Sequence, residues 1–382
     1  MDQVKLLTSP SDFPSTNTFC YLNAANVSLT YSEASRINQQ WFEDLSINGS
    51  NNFTEEAEEE VFKEVHKSAA SFINAKPYEI AGGSSATELL CSFAWSYSPQ
   101  KGENIVSTSS SFPSTVYPWS RVANSTGAQI RLAKSKNGYS SINAISSLID
   151  QNTSVVCISH TEFSNGHTYD LHVLAELAHK KDAILVVDAT QSAGAIPIDV
   201  EKDKIDVLVT GAYKWLCAPF GSAFMYIRHN LAKKLNPGLV GFRSHKNMWD
   251  LDATRLRYND DVSKYEFSTL AFGCILGLSE SLKYLNTIGI DKIYKYNLFL
   301  TDHLIEGLKQ LDAKIISTDK CVNRSPIITA KFKNKDSESI INDLRFANIF
   351  ISQRKEWVRF SPHFYNTLED IDSVISEIRK SL

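Results

Sequence analysis

The chain contains 382 residues, of which 43% are hydrophobic and 21% charged, a composition typical of globular proteins. Its length predicts two or three structural units, or one large α/β domain with an appendage. Lysine and arginine number 39 against 43 aspartates and glutamates, so the chain lacks the basic excess typical of nucleic-acid-binding proteins. No apolar run reaches the roughly 18 residues of a membrane span, and residues 1–18 lack a signal-peptide pattern, so we expect a cytoplasmic protein.

The six cysteines are widely separated, and no two of them form a Cys-x-x-Cys pair. Zinc sites, dithiol redox sites and disulfide frameworks need closer spacing, so we predict no metal site. We interpret the cysteines as small buried side chains in a reducing compartment.

Helical and strand-like patterns alternate along most of the chain. The patterns predict helices at 55–74, 85–95, 171–179, 291–311 and 368–382, and strands at 104–107, 129–132, 154–159, 183–187, 205–209, 222–227, 327–332 and 349–352. Alternation at this spacing predicts an α/β fold with a mainly parallel sheet and helices on both faces. We expect a large domain over residues 20–285 and a small α+β domain formed by residues 1–19 and 286–382.

Polar residues follow the predicted strands, at the edge where sheets of this kind bind ligands. Asp188 comes directly after one apolar strand, and Lys214 comes shortly after the next. Desolvation would lower the pKa of such a lysine and make its amine a usable nucleophile. These two residues alone fit a structural ion pair equally well.

Residues 187–226, VDATQSAGAIPIDVEKDKIDVLVTGAYKWLCAPFGSAFMY, combine Asp-x-x-Gln with a later Lys-Trp-Leu-x-x-Pro-x-Gly. This combination resembles the signature of class V aminotransferases, which are fold-type I pyridoxal-phosphate enzymes and include cysteine desulfurases and kynureninases. The likeness extends from about Tyr21 to the C-terminus. It implies a large cofactor domain with a seven-stranded type of sheet and a smaller α+β domain.

The resemblance implies a role for each residue of this signature. Lys214 corresponds to the lysine that holds pyridoxal 5'-phosphate as a Schiff base. Asp188 corresponds to the carboxylate facing the pyridine nitrogen, and Gln191 to the amide that binds the phenolic oxygen.

Further cofactor contacts are implied at two other segments. Ser85, Ala86 and Thr87 stand at a predicted helix start and correspond to the family's phosphate-binding turn. Phe112 occupies the position of the aromatic residue that stacks on the cofactor ring. Tyr213 corresponds to a tyrosine that donates a hydrogen bond to the phosphate in kynureninases.

Substrate and partner contacts are implied as well. Arg359 resembles the arginine that grips the substrate carboxylate, while Asn26 and Phe163 correspond to residues lining the substrate site. Ser268 and Thr269 resemble the family's Gly-Thr, whose threonine reaches the phosphate bound by the other subunit. The resemblance therefore implies a homodimer that acts on a small amino-acid substrate.

The chain departs from the family pattern at positions that matter for chemistry. Gly211 replaces a serine that contacts the phosphate, and Phe163 replaces an asparagine of desulfurases. Desulfurases carry a reactive cysteine shortly before the carboxylate arginine, but no cysteine lies between Cys321 and the C-terminus of this chain. We therefore do not expect a persulfide-forming cysteine desulfurase.

Several reaction outcomes remain open at this stage. Transamination through a Cα carbanion, or quinonoid, is the leading interpretation. A lyase reaction (C–S or kynureninase-like cleavage) and epimerisation are the alternatives, and a silent binding protein of the same fold is a hypothesis of another class. His160 and His363 could serve as acid–base groups or as packing residues, and Arg243, His245 and Arg354 are further candidates for substrate contact.

Overall fold

The computed structural model describes residues 6–318 and 324–382, so Cys321 lies outside the described residues. The strands are β1 (Cys20–Tyr21), β2 (Ile80–Gly83), β3 (Asn104–Thr108), β4 (Gln129–Ala133), β5 (Thr153–Ser159), β6 (Ile184–Asp188), β7 (Val207–Gly211), β8 (Ala223–Ile227), β9 (Lys314–Ile315), β10 (Ile328–Lys331), β11 (Ile349–Phe350), β12 (Ser352–Arg354) and β13 (Trp357–Phe360). The α-helices are α1 (Ser32–Asn48), α2 (Glu55–Glu60), α3 (Lys63–Ile73), α4 (Ala86–Tyr97), α5 (Pro113–Thr126), α6 (Ile142–Ser146), α7 (Leu171–His179), α8 (His229–Ala232), α9 (Phe272–Ile288), α10 (Ile290–Gln310), α11 (Ser337–Phe346) and α12 (Leu368–Ser381).

A seven-stranded sheet forms the centre of the molecule, with the strand order β2-β8-β7-β6-β5-β3-β4. Only β8 runs against the other strands, because it pairs antiparallel with both β2 and β7. Every residue of β5 to β8 is buried, as a sheet covered on both faces requires. The predicted α/β fold with a mainly parallel sheet is therefore confirmed.

The two faces of this sheet pack against different helices. Along β6, Leu185 and Val187 belong to the core that contains α3, α7 and α9, whereas Ile184 and Val186 belong to the core beneath α4 and α5. Successive side chains of a strand point to opposite faces, which explains this alternation. The apolar run that predicted a buried strand thus supplies both cores at once.

A smaller antiparallel sheet, in the order β12-β13-β10-β9, lies in the C-terminal part of the chain. The predicted strand at 349–352 is two strands: β11 pairs with β1 near the N-terminus, and β12 joins this small sheet. The division into domains at residues 20–285 stays a prediction.

The predicted helix at 55–74 is likewise two helices, α2 and α3. Val61 and Phe62 separate them, and both side chains are buried. Helix α2 has no buried residue, whereas α3 buries most of one face, so the two helices differ in how they contact the core. None of the helices within residues 6–318 and 324–382 combines the length and apolar composition that crossing a bilayer would need.

Candidate active site

A cleft with about 540 Å³ of empty space opens at the carboxyl ends of β5, β6 and β7, and we call it the central cleft. Its walls come from these strand ends and the turns after them, from the start of α4 and from the loop before α5. The lining residues are Ser85, Ala86, Thr87, Phe112, Ser114, Ser159, Thr161, Phe163, Asp188, Thr190, Gln191, Gly211, Tyr213 and Lys214. Nine residues predicted for the site are therefore brought together here.

Lys214 follows β7 and extends into the central cleft between two aromatic rings. Its Nζ lies 5.8 Å from the ring centre of Phe112 and 5.5 Å from that of Tyr213. Burial lowers the pKa of this amine to about 8, and the positive charges of Arg359 and Arg354 act in the same direction. The negative charge of Asp188 opposes the shift but does not cancel it. A low pKa makes the neutral, nucleophilic amine accessible near neutral pH.

Asp188 ends β6 and is held in one orientation by two hydrogen bonds. The hydroxyl of Thr115 donates to its Oδ2 at 2.8 Å, and the backbone N–H of Thr190 donates to its Oδ1 at 3.0 Å. The carboxylate is only 8% exposed, so it faces the cleft as a fixed negative charge. Thr115 was not predicted from the sequence, although it lies three residues after Phe112 at the start of α5.

Gln191 links the central cleft to the N-terminal segment. Its Nε2 donates to the carbonyl oxygen of Ala25 at 2.9 Å, and its Oε1 accepts from Nε1 of Trp215 at 2.9 Å. A side-chain amide carries two N–H hydrogens, so these contacts leave one for a ligand oxygen.

The N-terminus of α4 forms one end of the central cleft. Ser85 is the N-cap, and its Oγ accepts from the backbone N–H of Glu88 at 3.1 Å. Ala86 and Thr87 begin the helix and line the cleft. Free N–H groups at a helix start, together with the helix dipole, favour an anion such as phosphate.

The loop that carries Phe112, directly before α5, is held in place by the buried acid Glu162, which was not predicted as a site residue. Phe112 contacts Phe163 edge to face, with ring centres 5.5 Å apart. Below the loop, Glu162 accepts hydrogen bonds from Ser110 at 2.6 Å and from Tyr169 at 2.9 Å. Burial raises the pKa of Glu162 to about 7. A fully buried carboxyl with three hydroxyl neighbours could have been found only from the fold.

Arg359 lies in β13 and does not line the central cleft. It is fully buried, with Nη1 donating to the carbonyl oxygen of Phe163 at 2.8 Å and Nε donating to Oγ of Ser352 at 3.2 Å. Its Nη2 is buried and has no partner among the described residues. An unpaired buried donor is costly, so this nitrogen is suited to an anionic ligand.

Three further predicted residues lie outside the central cleft. Asn26 is exposed, and its Oδ1 accepts from Nη2 of Arg354 at 3.4 Å. Thr269 is exposed and Ser268 is half-buried on the segment before α9. Of the weaker candidates, Arg243 and His245 line a separate depression.

The two candidate histidines are enclosed by protein. His363 is fully buried, its Nε2 lies 3.0 Å from the carbonyl oxygen of Trp215, and burial lowers its pKa to about 3. His160 is 5% exposed, and burial lowers its pKa to about 4. Neither side chain lines the central cleft.

In the part of the chain that the structure describes, no three potential metal-binding side chains cluster as a metal site requires.

Comparisons with known proteins agree with this geometry. The family model Aminotransferase class-V matches residues 20–374. The uncharacterized aminotransferase YcbU of Bacillus subtilis is 25% identical over 96% of this chain and 95% of its own length. Several other relatives are named probable cysteine desulfurase, and one from Borreliella burgdorferi is 29% identical over 76% of this chain and 72% of its own length.

Solved structures extend the comparison to the fold. The cystine C–S lyase C-DES, solved as a mutant with glycine covalently linked to its pyridoxal-phosphate cofactor, superposes with a TM-score of 0.88. It is 18% identical, and the match covers 97% of this chain and 99% of that one. The chain belongs to the class V aminotransferase family, and its cofactor is pyridoxal phosphate.

Proposed function

We propose that this enzyme is an aminotransferase, in which Lys214 binds the cofactor covalently and then carries the proton at the substrate Cα. The observation that carries the proposal is the Lys214 amine, which lies in the central cleft with a pKa near 8 and has the fixed carboxylate of Asp188 nearby. A primary amine of this kind can act both as a nucleophile and as a general base near neutral pH.

The residues of the central cleft fit pyridoxal phosphate in charge and in hydrogen bonding. The start of α4 at Ser85 would receive the phosphate, and the Asp188 carboxylate would receive a cationic ring N–H. The remaining amide hydrogen of Gln191 would donate to a ring oxygen, and the Phe112 ring would cover one face of the cofactor. Bound pyridoxal phosphate supplies an electron-withdrawing ring that accepts the negative charge left at the substrate Cα.

Arg359 is our proposed site for the substrate α-carboxylate. Its unpartnered Nη2 supports this role, because binding a carboxylate would give this buried nitrogen the acceptor that it lacks. Access would require the Phe163 side chain to move, since the Phe163 carbonyl holds the guanidinium and the Phe163 ring lines the central cleft. Asn26 would approach the same substrate through its contact with Arg354.

We also propose that the enzyme acts as a homodimer. Thr269 and Ser268 do not line the central cleft of their own chain and are at least partly exposed, so they could contact the phosphate in a second subunit. Exposed aromatic side chains near the mouth of the cleft, Phe220 at 61% and Phe112 at 46%, supply apolar surface for such an interface.

A lyase or epimerase reaction is the second candidate. Phe112 supports cleavage chemistry of the kynureninase type, because its ring can stack but cannot carry a proton. Tyr213, which stacks on Phe220 with ring centres 4.6 Å apart, supports it as well. All these reactions begin with loss of the Cα proton and differ in where the next proton is placed.

We do not propose a persulfide-forming desulfurase, although several relatives carry that name. The chain before Arg359 turns directly from β12 into β13, with Arg354 opposite Trp357, and places no thiol there. Of the described cysteines, Cys217 is the nearest to Lys214 in sequence. It is buried beside Ser28, and burial raises its pKa to about 12.

A substrate screen tests the reaction type. Purified holoenzyme would be given single amino acids with and without a keto-acid acceptor, while keto-acid, ammonia and sulfide are measured. We expect acceptor-dependent keto-acid formation. Ammonia released without an acceptor would contradict transamination and support a lyase reaction. Sulfide released from cysteine would contradict our exclusion of a desulfurase.

Replacing Lys214 tests the proposed chemistry itself. We expect Lys214→Ala to lower turnover by roughly 10²–10⁴-fold or more, because it removes the proton carrier and the covalent anchor. Borohydride reduction followed by peptide mass spectrometry should locate the cofactor on Lys214 in the wild type. Lys234→Ala, at an exposed lysine, is the matched control. Full turnover in Lys214→Ala would refute the proposal, and absence of cofactor absorbance in the wild type would favour a silent binding protein.

A further inference from the structure

A second cleft adjoins the central cleft, and we call it the outer cleft. It contains about 1150 Å³ of empty space, part of it open to solvent, and is formed by four separate chain segments: 137–138, 163–164, 314–316, and the hairpin residues Arg354, Lys355 and Trp357. One side comes from loops of the large sheet and the other from the small antiparallel sheet. It is large enough for the side chain of a small-molecule substrate.

Phe163 connects the two clefts. Its ring lines both of them, and its carbonyl oxygen accepts the hydrogen bond from Nη1 of Arg359 at 2.8 Å. An amino acid whose carboxylate is bound at Arg359 would therefore have its side chain beside Phe163, at the boundary of the outer cleft. Lys214 lines the central cleft and does not line the outer cleft.

The outer cleft is cationic. Lys314, Arg354 and Lys355 line it, and none of its described lining residues is acidic. Arg354 also acts on the central cleft, because its charge helps to lower the pKa of Lys214 and of Arg359. Lys314 and Lys355 are exposed and Arg354 is half-buried, so these like charges meet without an acidic neighbour among the described lining residues and would attract an anionic group.

The apolar part of the outer cleft indicates what joins the anionic group to the reacting carbon. Trp357, Ile315 and Ile316 lie between the cations, and Nζ of Lys314 sits 5.9 Å from the Trp357 ring centre. An aliphatic chain or a flat ring between the substrate Cα and the anionic group would pack on these side chains and lose contact with water.

We propose that the outer cleft binds the negatively charged end of an extended side chain, so that the substrate is an amino acid with an anionic side-chain terminus. This inference rests on the proposed function, because it takes the α-carboxylate to be held at Arg359. Lys314 and Lys355 determine specificity in it and take no part in the proton transfer, whereas Arg354 contributes to specificity and also lowers the pKa of Lys214.

Three amino acids with the same three-methylene stem test the inference: L-2-aminoadipate, L-norleucine and L-ornithine end in a carboxylate, a methyl group and an ammonium. Binding to the holoenzyme would be measured from the absorbance of the bound cofactor, with glycine and L-alanine as short references. We expect aminoadipate to bind at least about tenfold more tightly than norleucine, and ornithine to bind most weakly.

Charge reversal separates a binding role from a structural one. We expect Lys314→Glu to abolish the preference for aminoadipate and to improve ornithine binding, while glycine binding is unchanged. Lys333→Glu is the matched control, since Lys333 is an exposed lysine outside the outer cleft in the same part of the chain. Arg354→Gln provides a second variant that weakens aminoadipate binding without introducing an acid.

The outcomes distinguish the two proposals. Equal binding of the three matched amino acids, or an equal change in Lys314→Glu and Lys333→Glu, overturns the outer-cleft inference and leaves the proposed function intact. If no amino acid, including glycine, changes the cofactor absorbance while the cofactor is bound, both are overturned.

Discussion

The central and outer clefts share Phe163 but differ in how the chain builds them. The central cleft takes its charged groups from turns that directly follow β6 and β7, and it balances the cation of Lys214 against the anion of Asp188. The outer cleft takes three cations from the small sheet and offers them no described acidic partner. The first arrangement suits a reaction common to many amino acids, whereas the second suits discrimination between side chains.

This difference predicts separable kinetic effects. On our proposal, groups in the central cleft contact the reacting part of the substrate, so their loss should lower kcat for every amino acid alike. Lys314 and Lys355 in the outer cleft would contact only the distal end of the substrate side chain, so their loss should change the relative KM values. Each experiment below either supports that separation or breaks it.

The largest effect after Lys214 is expected at Asp188. Asp188→Asn removes the fixed negative charge while keeping the shape and one acceptor oxygen. We expect kcat to fall by roughly 10²–10³-fold, as for the loss of a preorganised electrostatic group, and to the same degree for aminoadipate and norleucine. Steady-state kinetics on enzyme with verified cofactor content would measure this. A fall confined to one amino acid would break the separation between the clefts.

A smaller effect on kcat is expected at Thr115, which contacts Asp188 and does not itself line the central cleft. Its hydroxyl donates to the Asp188 carboxylate at 2.8 Å, and both groups are buried. Thr115→Val removes this charge-assisted hydrogen bond, and we expect about a tenfold loss in kcat. Thr115→Ser keeps the hydroxyl and should retain nearly all of the activity. If both variants lose activity equally, the threonine acts through packing and not through its hydrogen bond.

The smallest effect concerns the stability of the protein without cofactor. The pKa of Lys214 is lowered from 10.5 to about 8 in the folded state, so between these values the unfolded chain binds the proton more tightly. The free energy of unfolding should therefore rise with pH between about 8 and 10.5. Below pH 8 the buried ammonium of Lys214 should lower that free energy by its full amount.

Lys214→Met removes that cost. We expect the apoprotein variant to melt roughly 2–4 °C higher at pH 7, a change of ~1 kcal/mol, and the difference from the wild type to shrink as the pH rises towards 10.5. Differential scanning calorimetry at several pH values would measure both. A difference independent of pH would mean that the lysine is not desolvated in the folded apoprotein.

The sequence predicted some helices well and missed others, and for α1 the small buried surface explains the miss. The bounds predicted for α7, 171–179, coincide with those observed, because its apolar residues recur at helical spacing and the N-cap Asp170 marks its start. Helix α1 was not predicted. Ala34 is its only fully buried residue, and its place depends on contacts such as Trp41 with Phe53 and Phe272. A helix with so little buried surface gives a weak pattern, and its packing comes from distant residues.

The same distinction applies to the site. Asp188, Gln191 and Lys214 could be predicted from one continuous stretch, because that stretch resembles the class V aminotransferase signature and follows strands whose carboxyl ends meet at one edge of the sheet. Thr115 and Glu162 could not be assigned, because their roles depend on Asp188 and Ser110, which lie far away in sequence. Arg359 was predicted as a substrate ligand, but its burial behind Phe163 could only be seen in the folded chain.

The amino-acid sequence by itself determined the α/β class, because apolar runs of this kind must be buried on both faces of a sheet. The resemblance of residues 187–226 to class V aminotransferases gave the family and the cofactor, and it is the basis for our proposal that Lys214 anchors that cofactor. Only the tertiary structure decided which donor of Arg359 is left unpaired and which cations meet in the outer cleft. Both depend on side chains that are remote in sequence and come close only after the two sheets have packed together. Arg359 is then fully buried, where an unpaired donor is costly, while the cations of the outer cleft meet at a surface that water still reaches.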